Sequence, residues 1–199
     1  MSCALVTLLL SAPVLVERIV AVVDRQTITL SDLKRAGAVE LAKRGGAAAI
    51  RQKWPDDFLE DMRKHLVQQA LLLDEAQRYS QVAPPDSDVE KALIELKRRF
   101  GDDKSFATFL ATCAMTIDDV RDHLRRDIRV DRFLEMRIRS RLEVRDQDII
   151  NYRVSRPDAR QLPDDELARR VLEDLFIKKT LDYLRELAEK SDVRFLGKV

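Results

Sequence analysis

The sequence predicts a mainly α domain with a small β element, and three observations carry that expectation. Gly occurs 5 times and Pro 6 times in 199 residues, too few for the turns of a β-sandwich or an α/β sheet. Leu, Ala, Glu, Arg, Lys and Asp dominate, a composition that favours long helices. Apolar residues make up 45% of the chain, enough for one core, and over long stretches they return at helical spacing. The length allows one domain, or at most two.

Residues 1–16 carry no charge, and the apolar run from Ala4 is broken by Thr7, Ser11 and Pro13. It is too short to span a bilayer, which needs about 20 residues, so no transmembrane segment is expected. It reads as an export signal over 1–12, with Ser11 and Ala12 near the cleavage point; no Lys or Arg precedes it, and a buried N-terminal strand is the alternative. On the first reading the mature domain is 13–199 and works outside the cytoplasm.

From Glu17 a β-rich run, a polar break at Asp24 to Gln26 and a second run to Thr29 predict a small hairpin. Its turn lacks the Asn-Gly or Asp-Gly of a tight two-residue loop. Ser31 or Thr29 then caps a helix to about Arg44, which Gly45 and Gly46 stop. Asp56 and Asp57 open a helix to about Tyr79, with Phe58, Leu59, Met62, Leu66, Ala70, Leu73 and Ala76 on one face. Pro84 and Pro85 break the chain, Asp86 or Ser87 caps a third helix through Phe100, and Gly101 ends it. A short helix holds Phe106, Phe109 and Leu110. Thr116 and Asp119 make a capping box for the longest helix, Ile117 to about Leu142, and Val144 to Tyr152 gives another short one.

On the helix from Ile117, a stripe of Ile117, Val120, Leu124, Ile128, Ile138 and Leu142 leaves Val130, Phe133 and Met136 on another face. Such a helix is covered twice or leaves apolar surface open. The last helix, about Pro163 to Lys190, is apolar almost all round, from Leu167 to Leu187, the pattern of a helix with several neighbours. Val193 to Leu196 alternates like a strand, and the hairpin is its available partner, because a lone strand leaves backbone groups unpaired. Both ends of the chain then meet.

Charge and motifs exclude several functions. There are 36 basic and 35 acidic side chains, a formal net charge of +1. The arginines from Arg121 to Arg145 are interleaved with Asp118, Asp119, Asp122, Asp127, Asp131, Glu135 and Glu143, so no phosphate-neutralising stripe forms and no nucleic-acid partner is expected. The pairs Asp56/Asp57, Asp102/Asp103 and Asp164/Asp165 sit where helices begin and complement their dipoles. Cys3 and Cys113 fit no metal or redox spacing, and His65 and His123 read as lone histidines without a neighbouring ligand, so neither a metal nor a cofactor is expected. No Gly-rich phosphate loop, GxSxG or Cys/His dyad is present, which points away from an enzyme.

The run Val16-Glu17-Arg18-Ile19-Val20-Ala21-Val22-Val23-Asp24, followed by Ile28-Thr29-Leu30-Ser31-Asp32-Leu33, resembles the start of the mature SurA-type periplasmic chaperones and their relatives with parvulin domains. The helix over Leu66 to Tyr79, the start Asp86-Ser87-Asp88-Val89 and the segment Val144 to Tyr152 resemble further elements in the family's order. The stretch from Leu167 to Leu196 looks like the family's closing helix and strand. In parvulin-containing members an isomerase domain precedes that closing helix, and here 153–162 stands in its place as a linker, with 163–199 packing back on the N-terminal part. The resemblance implies a chaperone core without peptidyl-prolyl isomerase activity. Its clients would be unfolded outer-membrane or secreted polypeptides, held without ATP.

A holdase needs adaptable apolar surface. Val130, Phe133 and Met136 are the first candidates for client binding because they leave the main stripe. Phe106, Phe109 and Met115 follow, although aromatic and Met residues at helical spacing are more often core. The alternatives are an envelope assembly or scaffold protein that binds one folded partner through the same surface, and a degenerate isomerase acting through a separate subunit.

Overall fold

A computed structural model describes residues 17–51, 54–55, 57–156 and 161–199. The export signal expected at 1–12, Cys3, and the middle of the 153–162 segment lie outside the described residues. The hairpin forms between β1 (Ile19–Val23) and β2 (Gln26–Thr29), with Val23 opposite Gln26 and Val22 opposite Thr27. Asp24 takes the left-handed turn position at φ 52, which a short polar side chain tolerates. Its Oδ1 accepts the N–H of Asp192 at 2.8 Å, so the chain's other end holds a turn that has no glycine.

β3 (Val193–Phe195) pairs antiparallel with β1, giving the order β2-β1-β3. Arg63, 7% exposed, ties this sheet to the helices. It donates from Nη1 to the Gly197 carbonyl at 2.8 Å, pairs with Glu60 at 2.6 Å and lies over the Phe195 ring.

Seven α-helices fill the rest of the described residues. Thr29 and Asp32 cap α1 (Leu30–Arg51) reciprocally, and the helical path breaks at Gly45 and Gly46, as their lack of a Cβ allows. α2 (Phe58–Gln77) and α3 (Asp86–Arg98) follow. Asp102 caps α4 (Asp103–Thr112) by accepting the Ser105 N–H at 2.6 Å. The Thr116/Asp119 box opens α5 (Ile117–Arg137) as expected.

α5 ends earlier than its apolar pattern suggests. Past Arg137 the backbone tightens into a 3₁₀ turn at Arg139–Arg141, and the Ser140 hydroxyl donates to the Met136 carbonyl at 2.8 Å. The longest helix is therefore α7 (Asp164–Lys190), preceded by α6 (Asp146–Ser155). No helix among the described residues is long and apolar enough to cross a membrane.

The buried side chains form two cores. The first gathers Val20, Ile28, Leu33, Leu71, Leu72, Phe133, Leu184 and Leu187 around the sheet. The second gathers Val39, Val89, Leu93, Phe100, Phe106, Phe109, Val120 and Leu124 around α3 and α4. α1 and α5 contribute to both.

Part of the all-round apolarity of α7 follows from a change of partner along its length, while Ile177 and Leu181 stay half-exposed. Its first half lies along α6, tied by Arg153 to Asp164 at 2.6 Å and Arg156 to Asp174 at 2.8 Å. Its second half packs on α2 and sends Leu184 and Leu187 into the first core. Leu167 and Val171 therefore project from roughly the opposite side to Leu184 and Leu187, at about 100° per residue.

Candidate functional site

The two cores adjoin where α1, α2 and α5 meet, and a buried polar cluster fills that seam. α1 supplies Glu40 and Lys43, α2 supplies Gln69, and α5 supplies His123 and Asp127. Nε2 of His123, a residue 3% exposed, lies 3.3 Å from both Glu40 Oε1 and Asp127 Oδ2. Lys43 Nζ reaches the same two oxygens, at 2.6 Å for Glu40 and in a short ion pair with Asp127. Gln69 Nε2 donates to Asp127 Oδ1 at 2.6 Å.

Burial alone would raise the Glu40 carboxyl, but hydrogen bonds from His123 and Lys43 outweigh it and hold the group at about 2. Burial opposes the Lys43 charge as well, yet Asp127 and Glu40 carry its pKa above the ordinary value. Asp131, one turn on from Asp127, is raised by burial first and then by Asp127.

The ligand atoms of Glu40, His123 and Asp127 lie within 4.8 Å of one another, a spacing that a metal ion could use. Lys43 already places its ammonium between the two carboxylates, so a cation would have to displace it. This geometry suits a cross-link between helices. Breaking such a buried pair from one side costs more than forming it yields.

Beside the seam lies a cavity of about 220 Å³ among β2, α1, α2 and α5. Its floor is apolar, formed by Ile28, Val39, Leu66, Ala70, Leu73 and Met115. Gln69 and His123 border it from the seam, and Arg35 and Arg126 stand among its polar residues.

The residues proposed from sequence fall into two separate places. Phe106, Phe109 and Met115 belong to the second core, where the Phe100 ring meets Phe106 edge-on and Phe109 at a tilt, with centroids 5.3 and 4.9 Å apart. Phe133 is 0% exposed in the first core, between Tyr79 and Tyr183. Val130 and Met136 are half-buried at the edge of that core. The off-stripe face of α5 is thus covered, since Phe133 meets α7 through Tyr183. Met115 is the one member of the set that lines the cavity.

No family model matches the chain. Among curated proteins, 143 residues align at 27% identity with "Chaperone SurA" of Pseudomonas putida, covering 70% of this chain and 32% of that protein. "Chaperone SurA" of Pseudomonas fluorescens aligns over 145 residues, also at 27%, covering 70% and 33%. The chain is similar to the chaperone SurA. It spans about a third of the length of the SurA proteins it matches.

His123 is not the lone histidine expected from sequence, because Glu40 and Asp127 both lie 3.3 Å from its Nε2. Asp119 and Asp127 stand four residues to either side of it, on the same helical face, and that spacing was visible in the sequence. Glu40, 83 residues away, was not. Ion pairs between α5 and α3, Arg121 to Glu90 at 2.6 Å and Arg125 to Asp86 at 3.1 Å, account for part of its dense alternating charge.

Proposed function

We propose that this chain is an ATP-independent periplasmic chaperone that holds unfolded outer-membrane or secreted polypeptides and lacks proline-isomerase activity. The similarity to SurA over 70% of the chain carries this reading. The apolar surface left open supports it. On α6, Ile150 and Val154 are 52% and 72% exposed, and on α7 Ile177 and Leu181 are each 50% exposed. With half-buried Val130 and Met136 they offer an extended client apolar contact worth about 25 cal/mol per Å², offset in part by ordering of the client. Phe106, Phe109, Met115 and Phe133 would take part only on local opening of the cores. The absence of isomerase activity rests on the brevity of the segment between Ser155 and Asp164, which we read as a linker.

Photo-crosslinking from Val154 and Met136 tests the reading, with unfolded outer-membrane protein segments and the same proteins folded as controls. Crosslinks to many unfolded segments are expected. Crosslinks confined to one folded partner would favour an assembly scaffold, and their absence from both positions would reject client holding.

A further inference from the structure

We propose that the cavity among β2, α1, α2 and α5 binds the C-terminal residue of a client polypeptide, its apolar side chain on the cavity floor and its α-carboxylate at Arg35 and Arg126. The proposal rests on the chaperone reading and names a substrate feature within it.

The size sets the first limit. The cavity's 220 Å³ is less than the about 300–1,000 Å³ of a site for a drug-sized ligand. One large side chain fits such a space, and the floor selects an apolar one.

Charge sets the second. Arg35 and Arg126 are exposed and line the cavity, and among the described residues neither takes part in an ion pair. The three carboxylates of the same cavity keep their charge, but each has another partner. Asp32 accepts from the N–H and hydroxyl of Thr29 at 2.9 and 2.8 Å. Asp119 accepts from the N–H and hydroxyl of Thr116 at 2.7 and 2.8 Å. Asp122 pairs with Arg125 at 2.7 Å. Asp119 is held below the usual carboxylate range chiefly by the Thr116 bonds, with a smaller contribution from the Arg35 and Arg126 charges. Two guanidinium groups beside an apolar floor suit a ligand that carries a carboxylate next to an apolar group. In a polypeptide, an apolar residue carries its own carboxylate only at the last position.

The third observation concerns the preceding residues of such a chain. β2 is an edge of the sheet, and its Gln26 and Thr27 border the cavity. An extended segment ending in the cavity can therefore align with a strand edge, which favours a peptide over a free fatty acid.

The test uses the full chain and a fluorescent hexapeptide ending in leucine, made once with a free C-terminal carboxylate and once as the amide, in an anisotropy titration. The acid should bind at least tenfold more tightly than the amide. The double variant R35Q/R126Q should abolish that difference with an unchanged melting temperature, since both side chains are exposed. Equal binding of acid and amide, no binding of either, or an undiminished preference in the double variant would overturn the proposal. Suppression of aggregation of an unfolded protein, measured in parallel with the double variant, separates the two readings: retained suppression leaves the chaperone reading standing when the end-binding proposal fails.

Discussion

Replacing Phe133 by Ala decides whether the apolar residues of α5 away from its main stripe are core or client surface. The side chain is fully buried, with ring centroids of Tyr79 and Tyr183 at 5.7 and 6.1 Å. Truncating a core Phe costs about 3–5 kcal/mol. The loss of two aromatic neighbours, each worth about 0.5–1.5 kcal/mol beyond area, places this site in the upper half of that range. Against a total of about 5–15 kcal/mol, the variant should lose a large share of its stability. At about 2–4 °C per kcal/mol for a chain of this size, the melting temperature should fall by about 8–20 °C. Urea titration should show a lower midpoint with an unchanged slope. Val154→Ser, at a position 72% exposed, is the control and should stay within about 0.5 kcal/mol. A Phe133→Ala variant within about 1 kcal/mol of the wild type, with weakened client holding, would refute the packing described here.

Three further outcomes follow from the same packing. A chain ending at Gln161 loses Leu184, Leu187 and the strand that pairs with β1, and it should be unfolded or aggregated; a soluble fragment melting near the full-length temperature would contradict the shared core. Gly46→Ala places a Cβ 2.0 Å from the Arg99 carbonyl oxygen at a φ of +56°, so calorimetry should show destabilisation of at least about 1–3 kcal/mol. Glu40 titrates at about 2 when folded against an ordinary 4.5, so its stabilising contribution is fully present above the ordinary value and is lost as pH falls from there through the folded one. Urea midpoints measured across that window should fall less steeply in Glu40→Gln than in the wild type.

What the sequence revealed, and what it hid, follows the range of the interactions. The hairpin, the strand at Val193 and the break at Gly45 and Gly46 rest on local rules, alternation of side chains and the conformational freedom of glycine, and the structure places them as expected. The turn at Asp24 could not be read locally, because Asp192 helps to hold it from 168 residues away. The helical wheel of α5 showed two apolar faces but not how many neighbours cover them, so Phe133 read as a candidate surface residue while Tyr79 and Tyr183 enclose it. α7 read as buried on all sides because a periodic pattern cannot show a helix exchanging one partner for another midway. The seam was half legible: Asp127 follows His123 by one helical turn, whereas Glu40, Lys43 and Gln69 join only through the packing of three helices.

The measurement that bears most directly on a chaperone role is light scattering of a chemically unfolded outer-membrane protein diluted into buffer with this chain and without ATP. Equimolar chain should slow or abolish the rise in scattering, and unrelated unfolded proteins should be protected as well. Scattering that rises at the unassisted rate across several clients, with the chain shown to be folded by calorimetry, would contradict the proposal.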